Sequence, residues 1–183
     1  MTAKCSVFVG ASLDGFIARS DGSIDWLQPA YTGAPPDEDF GFAEFIGSVD
    51  ALVMGRNTFE QVLTFDEWAY GATPVVVISR TLSALPAGTP ATVSLSAESP
   101  ADLVARLSAE GARHLYIDGG RTIQSFLAAG LIDELTITIL PILLGTGKPL
   151  FGPLPADLHL THSGTKAYDF GFVQLKYRVS HPG

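Results

Sequence analysis

Short β-branched runs alternate along this chain with segments of helical character, and that alternation restricts the fold more than any other feature of the sequence. The runs lie at residues 6–9, 51–54, 74–78, 115–117 and 135–139. Strand and helix units in alternation predict a mostly parallel sheet, because a parallel pair needs a crossover long enough to hold a helix. Val75 to Ile78 is apolar throughout. That pattern belongs to a strand covered by helices on both faces, not to one with a wetted side.

The intervening segments carry helix end signals. Ser99-Pro100 supplies an N-cap and a first-turn proline for a helix over 101–110, which Gly111 closes. A second helix is predicted over 122–129, closed by Gly130, and a shorter one over 57–63. Residues 37–46 predict a further helix, with Asp37, Glu38 and Asp39 in a first turn where the macrodipole favours acids. After Gly147 the pattern alternates. Residues 158–165 and 172–179 flank a turn at Tyr168-Asp169-Phe170-Gly171 and predict a C-terminal antiparallel hairpin. Residues 20–36 have no periodicity, are rich in Gly, Pro, Ser and Asp, and contain Trp26, Leu27 and Tyr31. A loop that long inside a compact domain predicts a segment folding over a ligand.

Composition limits the partners. With 183 residues, 46% apolar and 16% charged, the chain is read as one globular domain over 1–183. Its net charge of −8 comes from 19 acids against 11 singly scattered bases, which excludes a phosphate-neutralising surface for nucleic acid. The longest apolar stretch, 135–144, is broken by Thr136, Thr138 and Pro141, and the first fifteen residues suit neither a signal peptide nor a membrane span. A single cysteine, Cys5, suits a reducing cytosol and reads as a small core residue. His159 and His162, three apart on a predicted strand, point to opposite faces, so no metal site is expected.

No strand ends in the Gly-x-Gly-x-x-Gly of a standard dinucleotide fold, and Gly145-Thr146-Gly147-Lys148 lacks the first glycine and the Ser or Thr of a phosphate loop. Three strand ends nevertheless carry anion-binding chemistry. Gly55-Arg56-Asn57-Thr58 offers a glycine turn, a guanidinium and a hydroxyl; Ser79-Arg80 offers a hydroxyl and a cation; Asp118-Gly119-Gly120-Arg121-Thr122 lets the backbone approach an anion at a helix start. In open α/β sheets the carboxyl ends of strands are where ligands bind. Taken singly, Gly55-Arg56 reads equally as a tight turn with a solvated arginine, and Asp118-Gly119-Gly120 as a plain turn.

These blocks, together with Ser12-Leu13-Asp14-Gly15-Phe16-Ile17-Ala18, Met54 to Glu60, Val77 to Arg80, Tyr116 to Gly120 and Leu140 to Phe151, occur in an order that resembles the dihydrofolate reductase-like family. Within it, the chain is similar to small stand-alone bacterial proteins related to the reductase domain of the bifunctional riboflavin-pathway deaminase/reductase. The resemblance implies a three-layer α/β/α sandwich with a terminal antiparallel strand, a cytosolic NADPH-dependent reductase acting on a small heterocyclic substrate, and a homodimer. It further implies that Gly55, Arg56 and Thr58 hold the pyrophosphate from one side and Gly119, Gly120, Arg121 and Thr122 from the other. Ser79 and Arg80 match the position that meets the adenosine 2′-phosphate, and Ala11 and Ile17 the nicotinamide end. Trp26 resembles the loop tryptophan of folate reductases, and Phe42 would bound the substrate pocket; for both, core packing is the alternative.

The resemblance to folate reductases, which place a carboxylate on the helix after the mobile loop, implies Asp39 as the catalytic acid; it lies sixteen residues before Gly55 and is followed by Phe40, Phe42 and Phe45. A carboxyl in an apolar pocket has its pKa raised and can relay a proton to the substrate. The alternative is an acidic first helical turn, and Asp14 and Asp25 are further acids whose plain readings are a turn residue and a solvated charge. No Lys or Arg occurs between Ser20 and Asp39, which argues against a phosphorylated substrate. A second reading keeps the fold and the cofactor but makes the protein a non-catalytic NADP(H) binder or sensor.

Overall fold

The computed structural model describes residues 1–28 and 33–180. Tyr31, expected in the loop over the ligand, lies outside them. An eight-stranded sheet runs in the order β5-β4-β3-β6-β1-β7-β10-β9. Its strands are β1 (Lys4–Ser12), β3 (Ala51–Gly55), β4 (Val75–Ile78), β5 (Val93–Ser96), β6 (His114–Asp118), β7 (Glu134–Leu140), β9 (Leu160–Ala167) and β10 (Val173–Val179). All pairings from β5 to β7 are parallel, and β10 joins β7 and β9 antiparallel, giving the predicted hairpin. A two-stranded sheet pairs β2 (Phe16–Ala18) with β8 (Lys148–Pro149).

The helices are α1 (Phe42–Gly47), α2 (Arg56–Val62), α3 (Pro100–Ala109) and α4 (Gly120–Ala128). Two cores follow from the alternation of strand side chains across the sheet. On one face α3 and α4 bury Leu103, Leu107, Ile123 and Phe126 against Val7, Val53, Leu115 and Ile117. On the other, α1 and α2 pack Phe42, Phe45, Phe59 and Val62 against Phe8, Leu52, Met54, Val77 and Tyr116. The architecture is the expected three-layer sandwich. Ser99 caps α3 by accepting from the Asp102 N–H at 3.3 Å, as its position predicts.

One helix is shorter than the sequence suggests. The segment expected as helical from residue 37 turns helical only at Phe42, because Phe40 (φ 58°) and Gly41 (φ 84°) both take the left-handed conformation. Acids before a helix thus belong here to a turn. The Phe40 strain is held from below: its carbonyl accepts from the amide of Gln174, which is 3% exposed, and its ring stacks on Phe172 at 5.4 Å.

Candidate functional site

The carboxyl ends of β3 and β6 are adjacent, with Met54 paired to Asp118, and both strands turn through glycine into a helix. The two turns touch. A Cβ on Gly119 would overlap the Thr58 hydroxyl, one on Gly55 would stand 2.8 Å from Thr122 Oγ1, and one on Gly120 would stand 2.8 Å from Ile17 Cδ1. Gly55, Thr58, Gly119, Gly120, Thr122 and Ile17, assigned from sequence to one ligand, therefore form one cradle. Among the described residues no side chain caps the start of α4, so its first N–H groups can meet an anion.

Around the cradle the remaining assignments are less direct. Arg56 is exposed and donates to Glu60 at 2.6 Å, an i,i+4 pair of small energy that a phosphate can displace. Gly55 pairs with Ile78, which puts Ser79 and Arg80 one strand away. Ser79 Oγ is engaged in its own turn, accepting from Thr81 N at 3.2 Å and Leu82 N at 2.9 Å, and Arg80 is exposed. Arg121 is exposed, and Ala11, at the end of β1, is buried.

The long loop crosses the face that α1 and α2 occupy. Its Gly22 carbonyl accepts from Gln61 of α2 at 3.1 Å, and Arg19 grips Asp25 through two bonds of 2.6 and 3.0 Å. That pairing draws the Asp25 carboxyl down to about 2. Trp26, within a short 3-10 turn (Asp25–Leu27), is 1% exposed against Leu140 and Phe172, and its indole Nε1 has no hydrogen-bond partner among the described residues. It lies in the loop's own core, in a different cluster from Phe42, whose ring stands edge-on to Phe8 at 5.6 Å and to Tyr116 at 6.3 Å. Asp14 fastens the other strap of this region, accepting from Ser12, Leu144 N and Gly145 N at 2.6, 3.1 and 2.7 Å.

Asp39 is not in an apolar pocket. It is exposed, and its carboxylate accepts from Gly41 N at 2.8 Å and Ala43 N at 2.9 Å, bonds that hold its pKa below the usual range. The two backbone bonds tie the turn to the first N–H groups of α1. Asp39→Ala is expected to lower Tm by about 2–4 °C at pH 7. Because the folded pKa is depressed, that contribution is present above the unfolded value of about 3.9 and is lost as pH falls through the folded one. A pair of thermal melts at pH 7 and pH 2.5 checks both points; a difference that persists at the lower pH would contradict the assignment.

The carboxyl group that does sit in a low-dielectric setting is Asp118. It closes β6 on the face of Met54 and Tyr116, half-buried, with its Oδ1 accepting from Gly119 N at 2.8 Å. Burial raises its pKa to about 6, although the Gly119 N–H and the Tyr116 hydroxyl pull the other way. Read along the sequence, Asp118 was only the residue before two glycines. A carboxylate ending an apolar strand ahead of a glycine turn was the available signal, since a strand-end side chain on a core face is desolvated.

Comparison with known proteins gives the family and the fold. The chain matches the family described as the RibD C-terminal domain over residues 3–174. It is 34% identical to the uncharacterized protein YwjB of Bacillus subtilis, with 97% of this chain and 98% of that one covered. A crystal structure of a putative riboflavin biosynthesis protein from Shewanella sp. PV-4 superposes with a TM-score of 0.91 at 42% identity, over 99% of this chain and 100% of that one. The fold alone is shared with a deaminase/reductase of Thermotoga maritima, at a TM-score of 0.72 and 15% identity, over 98% of this chain and 57% of that one. The glycine cradle between β3 and β6 therefore sits on a scaffold shared with a putative riboflavin biosynthesis protein, and the chain belongs to the RibD C-terminal domain family.

Proposed function

We propose that the protein is an NADPH-dependent oxidoreductase that delivers hydride to a small heterocyclic acceptor, pterin-like or pyrimidine-like. The observation that carries this reading is the cradle itself. Three glycines stand where a Cβ would collide with Thr58, Thr122 and Ile17, so only glycine lets the two strand ends close on one another, and the start of α4 at that junction supplies N–H groups for a pyrophosphate. Bound there, the dinucleotide supplies hydride. The chain's own residues bind and orient it: Thr58 and Thr122 with hydroxyls, the start of α4 with N–H groups, and Arg56 and Arg121 with positive charge. The loop fastened by Gln61 and the Arg19–Asp25 pair excludes water from the reacting end.

Titrating the protein with NADPH and with NADH, read by tryptophan fluorescence, tests the first half of the proposal. Adding dihydrofolate or the ribosylaminopyrimidine of riboflavin synthesis, and following nicotinamide absorbance, tests the second. Failure of both cofactors to bind would end the reductase reading. Arg80→Ala is expected to weaken NADPH by about 10- to 100-fold and NADH by less than about twofold, because the lost charge-assisted contacts exist only with the 2′-phosphate. Equal weakening would put the adenosine elsewhere. The exposed, backbone-bound Asp39 favours the second reading, a non-catalytic NADP(H) binder, to the extent that the reaction needs that acid; binding without turnover is its signature.

A further inference from the structure

We propose that Lys148 is the cation that closes over the dinucleotide's pyrophosphate, its ammonium meeting the phosphate on the nicotinamide side. The inference rests on the reductase reading above and adds to it a residue from a segment with no site assigned. Gly145-Thr146-Gly147-Lys148 lacks the frame of a phosphate loop, yet the fold gives its lysine a phosphate-binding position by another route.

Pairing in the small sheet sets that position. Lys148 is opposite Ala18 across β2 and β8. The pairing needs glycine just before the lysine, because a Cβ on Gly147 would overlap the Ala18 carbonyl and crowd the Phe16 ring. Just after the lysine, the Pro149 carbonyl accepts from Gln124 of α4 at 2.9 Å and stands 3.3 Å from where a Gly120 Cβ would be. The backbone of Lys148 is thus one residue removed from contact with the first turn of α4, whose N–H groups can meet an anion.

The side chain crosses from there to the loop. Its Nζ stands 2.9 Å from where a Gly22 Cβ would be, and the Gly22 carbonyl accepts from Gln61 of α2 at 3.1 Å. Gln61 is three residues along α2 from Thr58, so the two share a helix face, and Thr58 is the residue that touches Gly119. The contacts close a ring: Gly119 to Thr58, Gln61 to Gly22, Lys148 to Pro149, and back to Gly120. Among these residues Lys148 alone is charged.

That ammonium has no counter-charge. Among the described residues it makes no hydrogen bond and no ion pair, and it is exposed. The acids of the nearby loop are turned elsewhere: Asp21 accepts from Ser23 N at 2.8 Å, and Asp25 is gripped by Arg19. Residues 20–39 carry no cation of their own, and Lys148 brings one to them at Gly22. A phosphate seated against α4 meets this charge together with backbone N–H groups, a stronger setting than a surface ion pair.

Topology chooses between the two phosphates. The 2′-phosphate position proposed for Arg80 is at the end of β4, on the far side of β3, whereas β1, which leads into β2, is on the far side of β6. A dinucleotide lying along these strand ends has its adenosine at β4, its pyrophosphate at β3 and β6, and its nicotinamide towards β1. Lys148, paired to β2, is on the nicotinamide side of the cradle.

Calorimetric titration of Lys148→Met with three probes tests the assignment. NADPH and 2′-phospho-ADP-ribose both carry the nicotinamide-side phosphate, and each should bind at least about 10-fold more weakly than to the wild type. 2′,5′-ADP lacks that phosphate and keeps the other two, so its affinity should stay within about twofold. Lys148→Arg should hold NADPH within about threefold, because the guanidinium keeps the charge. Thermal melts of Lys148→Met should stay within about 2 °C of wild type, since an exposed, unpartnered side chain has little contact to lose. NADPH affinity unchanged by Lys148→Met would make the lysine a solvated surface residue, and equal weakening of 2′,5′-ADP would move it to the adenosine side; either result overturns the proposal. So does unchanged NADPH affinity with a raised KM for dihydrofolate or the ribosylaminopyrimidine, which gives the ammonium to the substrate. Each of these leaves the reductase reading intact. Wild-type protein that binds none of the three probes would remove that reading, and this assignment with it.

Discussion

Gly119→Ala is expected to weaken NADPH by at least about 100-fold, the largest binding effect of any single methyl group in this protein. Two costs combine at that position. The backbone stands at φ 88° and ψ 133°, a region that residues with a Cβ, including the Asn and Asp tolerated in left-handed turns, rarely enter. The added Cβ also overlaps the Thr58 hydroxyl, so the β3 and β6 turns must part. Gly111→Ala separates the two. Gly111 (φ 104°) has open space around its missing side chain and lies beyond α3, so alanine there should cost about 1–2 kcal/mol of stability and leave NADPH affinity unchanged. Fluorescence titration and thermal melts of both variants give the comparison. Equal affinities in the two would assign Gly119 to the scaffold and not to the ligand.

Trp26→Ala is expected to cost about 3–5 kcal/mol, the largest stability loss among the loop residues, because a side chain 1% exposed against Leu140 and Phe172 leaves a cavity behind it. Trp26→Phe should cost much less than that. The indole Nε1 has no hydrogen-bond partner among the described residues, so phenylalanine removes a donor unpaired among them at the same time as it removes volume. Urea unfolding measures both. Equal and large losses from the two variants would indicate that the indole N–H makes a bond that matters. A mutation confined to the loop should also lower protection of Gly22 and its neighbours in hydrogen exchange before it lowers that of β1 or β6.

How far the sequence reaches can be argued from particular residues. All five predicted strands of the parallel sheet are present, since short apolar runs carrying β-branched and aromatic residues between turn signals have few other places to go. Ser99-Pro100 and Gly111 marked α3 to within a residue because a cap is a local device. The short strands β2, β5 and β8 escaped notice: Phe16-Ile17-Ala18 and Lys148-Pro149 are too short for periodicity and are strands only because the distant segments pair. Asp37 to Asp39 misled in a different way. Acids ahead of an apolar run fit a helical first turn, but Phe40 and Gly41 take left-handed conformations that depend on Gln174 and Phe172, more than a hundred residues later. The two ends that form the cradle, after β3 and β6, were legible as glycine turns into helices, because glycine there is chosen by local backbone geometry. The raised pKa of Asp118 was not, because its desolvation depends on how β6 is packed between β3 and β1, strands far from it in the chain.

The position of β1 has a consequence for the chain during its synthesis. β1 is made first, yet both of its neighbours, β6 and β7, follow more than a hundred residues later. At ordinary translation speeds this leaves Cys5, Val7 and Ala11 without a partner strand for on the order of ten seconds after they are made. Meanwhile β3, β4 and β5, which pair in chain order, can assemble as they emerge. The nascent protein is thus a small parallel sheet trailing an apolar ribbon, one that a holding chaperone would recognise. The eight-stranded sheet is completed only when the late strand β6 slots between β1 and β3, bringing Gly119 against Thr58 in the same event.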